Sequence, residues 1–429
     1  MKRHPKMTNV LNFMKCRYIG AIGNPVPLLV GLSFLIALSI FFVDPGARAD
    51  EGAHLRLIKM LHSDTHASLG NITNVPGFHH AVTVVTRSLE PVFHFGEYPK
   101  RSTIRIIVYI LFGPAFIVSL FGLSRALYSS TSAAMSSLTF PVIFPFIYLV
   151  YTDIPALTFI IAAIWAHLLR RNHLAAGLIA VAFLMRQDAI IWIIPLFVLS
   201  CESIVRDANW RKPDMEIFLR LLRVNATYII VGILFVGFLV MNGGVAVGDK
   251  SAHPSSYLGL GNFYYFLMIS TVLFAPLLIG RVSHVCSLLY RRWRIIVPAL
   301  FFGWFIFLST FATNHPYNGD PRFLHNLPIL FLRTGTGAFV FGYLLAAYAV
   351  LAFLTVRFIR HRNLVFAGTA IVAMLPHWML EPRYSMAAFL FVPILFRWPK
   401  RLLRAQFVYG SILTATILFS SVFHAGKFI

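Results

Sequence analysis

Residues 174–199 read LAAGLIAVAFLMRQDAIIWIIPLFVL, an apolar run interrupted once, by Arg186-Gln187-Asp188. How this stretch is read decides the fold. As one helix it crosses a bilayer with an arginine at mid-span, at roughly 2.5–3.5 kcal/mol on insertion scales. As two half-length helices it is a hairpin with the polar triplet at its turn. The choice sets the side on which every later loop falls. With the hairpin, the basic clusters Arg206 to Arg223, Arg281 to Arg294, Arg357 to Arg362 and Arg397 to Arg404 all lie inside, where Lys and Arg accumulate on cytoplasmic loops. With a single span they all lie outside. The hairpin is therefore expected, since short helices are tolerated where they line a protein cavity.

The flanking sequence is of the same kind. The chain has 429 residues, of which 58% are hydrophobic and only 12% charged, too little charge to keep a soluble protein of this length dispersed. Further apolar spans run over Val26–Val43, Arg105–Ser124, Ala133–Val150 and Ile154–Leu169, and after the hairpin over 224–241, 263–280, 295–312, 336–356, 364–380, 384–397 and 405–423. Spans of this kind suit a hydrocarbon layer of about 30 Å at about 1.5 Å per residue. The expectation is an all-α, polytopic helical membrane protein forming one domain over residues 1–429, with about 12–13 transmembrane helices. Its amino terminus lies inside and its carboxyl terminus outside. The net charge of +22 would suggest nucleic acid on a soluble chain. Here it reads as the charge of inner loops, and no nucleic-acid partner is expected. Cys16, Cys201 and Cys286 all fall on the inner side and show no metal-ligand spacing.

The longest polar segment is the first outer loop, residues 44–104, with Asp44, Asp50, Glu51, Asp64, Glu90 and Glu97. Ala47-Arg48-Ala49 has the look of a signal-peptidase site, but the region before it is too long; either reading leaves Asp50 outside. Two short interfacial helices are expected near His54–His62 and Ala81–Leu89, with breaks at Val75-Pro76-Gly77 and Glu90-Pro91. By this topology the inner loops hold most of the 37 basic residues but only Glu202, Asp207, Asp214 and Glu216 of the 15 acids. The carboxylates gather on the outer face, as a site working there would use.

Short outer segments concentrate the remaining polar residues. They are Asp50-Glu51 with His54, Tyr151-Thr152-Asp153, Arg186-Gln187-Asp188, Gly248-Asp249-Lys250-Ser251-Ala252-His253, Asn314-His315-Pro316-Tyr317 with Asp320 and Arg322, and Glu381-Pro382-Arg383-Tyr384. Five of these sets, from the acidic pair to Glu-Pro-Arg-Tyr, resemble the dolichyl-phosphate-glucose-dependent α-1,2-glucosyltransferases, a branch of the GT-C superfamily. Order and spacing follow that family from about residue 44 to about residue 390. The chain departs from it in having few aromatics over Leu55 to Leu61 and Val75-Pro76-Gly77 where the family has Pro-Pro-Gly.

The resemblance implies a GT-C-like fold and an inverting transfer of glucose from a polyprenyl phosphate donor to a 2-hydroxyl of a lipid-linked or other glycan acceptor. It implies a membrane location, in a bacterial inner membrane or the endoplasmic reticulum, with the site outside. Direct displacement needs a carboxylate base within about 2.6–3.2 Å of the attacking hydroxyl, and negative charge favours the oxocarbenium-like transition state. The leaving phosphate needs cations and no acid. No nucleotide diphosphate takes part, so neither cofactor nor metal is expected, and His79-His80 has no third ligand nearby.

Asp50 is the expected base; its competing role is a helix N-cap before Gly52-Ala53-His54. Glu51 orients the acceptor, replaces Asp50 as base, or is a solvated carboxylate. Asp153 binds sugar hydroxyls or caps the helix from Ile154. Arg383 holds phosphate or pairs with Glu381, and Tyr384 lines the same segment. Arg186 reaches phosphate or bridges to Asp188. Asp249, Lys250 and His253 form a second phosphate-facing set or a solvated loop, and His54 shares the face of the acidic pair. Rival readings are a transporter or lipid flippase, a structural membrane protein, and a GT-C enzyme using another polyprenyl-phosphate sugar. Against transport, the charges sit at outer helix ends and no internal repeat is evident.

Overall fold

The computed structural model describes residues 25–47, 50–63, 72, 74–95, 99–207, 215–247, 259–311, 315–321, 323 and 326–423. In chain order its helices are α1 (Pro25–Val43), α2 (Glu51–His62), α3 (Gly77–Phe93), α4 (Arg101–Ala126), α5 (Thr131–Leu138), α6 (Asp153–Leu168), α7 (Asn172–Met185), α8 (Ile193–Asp207), α9 (Met215–Asn242), α10 (Gly261–Leu273), α11 (Ala275–Ile279), α12 (Val282–Thr310), α13 (Asn326–Leu332), α14 (Thr336–Leu354), α15 (Asn363–Val372), α16 (Met386–Leu395) and α17 (Lys400–Phe423). Short 3₁₀ turns lie at Phe144–Tyr148, Gln187–Trp192, Pro316–Gly319 and Pro382–Ser385. Among the described residues, seven helical stretches are long and apolar enough to span a bilayer and five shorter apolar ones accompany them. The chain is an all-α, polytopic membrane protein.

The 174–199 stretch is a hairpin. Its helix stops at Met185, Arg186 takes an extended conformation (φ −160°, ψ 115°), and the chain resumes through the 3₁₀ turn at Gln187. Asn172, at the start of α7, donates to the Ser200 hydroxyl midway along α8 at 2.8 Å, so the two limbs run antiparallel. This also sorts the bundle's ends. At the end bearing Ser200, Arg362 reaches Glu202 at 2.9 Å, Arg281 donates to the Thr355 hydroxyl at 3.0 Å, and Arg397 bonds the Arg357 backbone at 2.8 Å. The basic clusters at 281, 357–362 and 397 thus share one end, opposite the turn at Arg186.

The other departures from the expected spans have local causes. Residues 133–150 run from the basic end, where Ser136 donates to the Leu403 carbonyl, to the site end, where the Val150 amide meets Glu51, but not as one helix. The short α5 gives way to turns around Pro141 and Pro145, whose missing N–H groups cannot continue a helical ladder. The 263–280 span divides at Phe274, ahead of Pro276, into α10 and α11. Residues 364–380 are helical only as far as Val372. In the outer loop, α3 runs through Pro91 and ends where His94 adopts a left-handed conformation (φ 47°).

The core is a continuous apolar mass in which α4, α6 and α7 pack together and α10 packs on α14. Gly77 permits α3 to dock on the hairpin. A Cβ there would meet the Leu184 carbonyl and lie 2.9 Å from the Leu184 Cβ. The Val75 amide donates to Gln187 Oε1 at 3.1 Å and Asn74 donates to Thr152 at 3.3 Å. The first outer loop is thereby fixed to the ends of α6 and α7, where the polar segments meet.

Candidate functional site

The site is built at the helix ends opposite the basic clusters. Its base is a buried ion pair. Glu51, at the first position of α2, has no exposed surface and accepts from Arg105 Nε at 2.8 Å, Arg105 Nη2 at 2.6 Å and the Val150 amide at 3.2 Å. Arg105, itself 3% exposed, also donates to the carbonyls of Pro45 (2.7 Å) and Gly46 (3.1 Å). Arg101 holds Asp44 beside it at 3.1 Å. Entry into α2 is therefore pinned to α4.

Asp50 precedes this pair as the N-cap residue, yet its side chain makes no capping bond. Its carboxylate, 59% exposed, bridges to Arg383 Nη2 at 2.8 Å. Consecutive helical residues point about 100° apart, so one acid faces the mouth of the site while its neighbour faces the core.

Arg383 is the centre of the cluster. Its Nε and Nη2 make a forked pair with Glu381, the second contact at 2.7 Å. Its Nη1 lies 3.9 Å from Asp153 Oδ2, and its guanidinium stands over the Tyr151 ring at 4.9 Å. The Glu381 backbone is set by two buried asparagines. Asn262 donates to the carbonyls of His377 (2.8 Å) and Met379 (2.9 Å) and accepts from the Glu381 amide (3.0 Å). Asn318 brackets Leu380, donating at 2.8 Å and accepting at 3.1 Å.

Arg186 joins the same cluster from the hairpin turn. It pairs with Asp153 Oδ1 and donates to Asp188 from Nε and Nη2, the latter at 2.8 Å. Asp153 is the first residue of α6, after the N-cap Thr152, and both its oxygens face arginines. Tyr384 stacks on His377 with ring centres 3.7 Å apart and lies 5.5 Å from the Arg186 guanidinium, while His377 Nε2 reaches Asp188 at 3.4 Å. His54 is buried beside Tyr151 and shares a 2.9 Å hydrogen bond with His79. Burial pushes the His54 imidazole down to about 4, against the pull of Asp50 and with a further push from Arg383. Burial and His54 likewise hold His79 well below its usual range.

Asp50, Glu51, His54, Asp153, Arg186, Glu381, Arg383 and Tyr384 therefore come together. Asp249, Lys250 and His253 lie outside the described residues. Three contributors went unrecognised in the sequence. Arg105 looked like the edge of a span, His377 carried no local signal, and Tyr151 was quoted only as part of a polar segment. Among the described residues no group of three or more His, Cys, Asp or Glu side chains is placed to hold a metal. A cavity of about 60 Å³, with a largely apolar wall, lies against Asp153, Arg186, Asp188, Arg383 and Tyr384. An apolar one of about 240 Å³ is lined by Tyr265, Met268, Phe331, Leu345 and Pro382, and so reaches the residue next to Arg383.

Fold and site define a class: a polytopic α-helical membrane protein with a carboxylate- and arginine-lined site at one end of its bundle. The model of the DIE2/ALG10 family matches over residues 50–216 and 210–394. The chain belongs to that family, in agreement with the resemblance carried by its motifs. It is 26% identical over 245 residues to a Yarrowia lipolytica protein named Dol-P-Glc:Glc(2)Man(9)GlcNAc(2)-PP-Dol alpha-1,2-glucosyltransferase, covering 50% of this chain and 45% of the relative. Human and Drosophila melanogaster proteins of the same name are 26% identical over 198 residues (38% of this chain, 42% of the relative) and 29% identical over 162 residues (32% and 36%). The matched part is less than half the length of these relatives. No solved structure matches the chain.

Proposed function

We propose that this protein is an inverting membrane glycosyltransferase that moves glucose from a polyprenyl phosphate to a 2-hydroxyl of a lipid-linked glycan, giving an α-1,2 bond. The observation that carries the reading is the exposed Asp50 carboxylate beside Arg383 and Asp153, at the end of the bundle away from the basic loops. Family membership supplies the donor and acceptor classes. The site faces the lumen or the outside of the cell.

Asp50 takes the proton of the attacking hydroxyl as its oxygen bonds to the anomeric carbon. The bond from that carbon to the phosphate oxygen breaks, and the electron pair leaves with the phosphate. Arg383 and Arg186 receive the phosphate as fixed guanidinium donors. Asp153, buried between them, faces the sugar and favours the positive charge that develops at its ring. Glu51 supports from beneath: it is buried, tied to Arg105, and holds the start of α2 so that Asp50 points outward. The apolar cavity beside Pro382 suits the first isoprene units of the donor tail.

The test is reconstitution in liposomes with synthetic polyprenyl-phosphate-glucose and a panel of lipid-linked glycans. An α-1,2-glucosylated product is expected, and Asp50→Asn should abolish it while the protein still inserts. Failure to transfer any polyprenyl-phosphate-linked sugar to any acceptor overturns the reading.

A further inference from the structure

Three carboxylates surround Arg383, and they are not equivalent. Glu381 and Asp153 have side chains only 4% and 5% exposed, whereas Asp50 is 59% exposed. Glu381 holds two guanidinium nitrogens in a fork; Asp50 shares one of those, Nη2, at 2.8 Å. The Tyr151 ring fixes the guanidinium plane from one side. A buried forked pair resists separation because its ions lose water's solvation, while a contact made by an exposed carboxylate is weak and readily exchanged. An anion entering here displaces Asp50 and leaves Glu381 and Asp153 in place. A phosphodiester can take the vacated bond on Nη2 together with Nη1, whose carboxylate neighbour is 3.9 Å away.

We propose that Arg383 is a donor-operated latch on Asp50: in the free protein it holds the carboxylate, and arrival of the donor phosphate releases that carboxylate to face the acceptor hydroxyl. The proposal rests on the glycosyltransferase reading and adds to it a compulsory order, donor before acceptor. A base paired to a guanidinium is a poor proton acceptor, so the acceptor is activated only when the sugar to be transferred is in place.

The latch makes Asp50 and the donor competitors for one cation. Removing the Asp50 charge should therefore tighten donor binding even though it ends catalysis. The experiment measures equilibrium binding of a short-chain polyprenyl-phosphate-glucose to the detergent-solubilised wild type and Asp50→Asn, without acceptor. Asp50→Asn should bind about two- to fivefold more tightly, the range an exposed ion pair allows. Asp50→Ala, which cannot donate a replacement hydrogen bond, should shift the same way. Unchanged or weaker binding in both variants overturns the latch. In steady-state kinetics of the wild type, a glycan lacking the receiving hydroxyl should inhibit uncompetitively against donor. Mixed or competitive inhibition overturns the compulsory order. A wild type that neither binds nor transfers the donor removes the glycosyltransferase reading itself, a different outcome from a working enzyme with no latch.

Discussion

Two adjacent acids should respond in opposite ways to the same loss of charge. Glu51→Gln leaves the Arg105 guanidinium buried at 3% exposure without its forked carboxylate. Breaking a buried pair by removing one partner costs about 3–5 kcal/mol. The carbonyls of Pro45 and Gly46 still accept from Arg105, and Asp44 lies 3.9 Å from it, so the lower end applies, about 3 kcal/mol. Asp50→Asn removes an ion pair whose carboxylate is 59% exposed, worth about 0–1 kcal/mol, and Arg383 keeps Glu381, so folding should barely change while transfer falls by about 10²–10⁴. Denaturant unfolding in detergent micelles, followed by tryptophan fluorescence, gives the stabilities; the liposome assay gives the rates. Arg105→Met and the double variant Glu51→Gln/Arg105→Met complete a cycle whose coupling should reach at least about 1 kcal/mol. If Glu51→Gln is no less stable than Asp50→Asn, or the two effects simply add, the buried-pair account of Glu51 is wrong.

Other substitutions probe the remaining contacts. Arg383→Lys puts a point charge where a fork now spans Glu381 and Asp50, and transfer should drop at least about tenfold in the liposome assay. Gly77→Ala forces a Cβ against Leu184 and should destabilise by about 1–3 kcal/mol. Gly177→Ala meets nothing within 4 Å and should be neutral or stabilise by up to about 1 kcal/mol in the same unfolding measurement. His54 gives acid sensitivity of a defined sign. Its folded value near 4 lies below the ordinary 6.5, so as pH falls through that window the unfolded chain takes up a proton that the folded one refuses. Stability from this group is whole above pH 6.5 and declines by about 3 kcal/mol toward pH 4; His54→Gln should remove that part of the slope.

The hairpin was legible because its signal is local: three polar residues in a 26-residue apolar run, with loop charge to decide between the readings. The break at residues 139–150 was written in the sequence too, in Pro141 and Pro145, but mean hydropathy outweighs two prolines when a span is read by length. The extent of α3 was misjudged for the opposite reason. Glu90-Pro91 looks like a stop, yet a proline in a final turn removes only one bond of the ladder, and the chain turned at His94 instead.

The site shows where such reading ends. Each of its charged motifs could be recognised alone, but their functions depend on partners that only packing supplies. Arg105 meets Glu51 across 54 residues, and Arg383 meets Asp50 across 333. Nothing in Asp50-Glu51 states which acid is outward; the answer lies in Arg105 of α4 and the Val150 amide, which hold Glu51 inward. The local charge is equally unreadable from composition. The whole chain carries +22, yet among the described residues Asp50, Asp153, Asp188 and Glu381 surround the two guanidiniums of Arg186 and Arg383. In the glycosyltransferase proposed above, that surplus of carboxylate would oppose an anionic donor until one acid steps aside, and would then favour the positive charge that grows on the sugar as its bond to phosphate breaks. A neutral or cationic pocket would hold the phosphate more tightly from the outset, but it would leave no carboxylate to take the proton and would raise the energy of the cationic transition state.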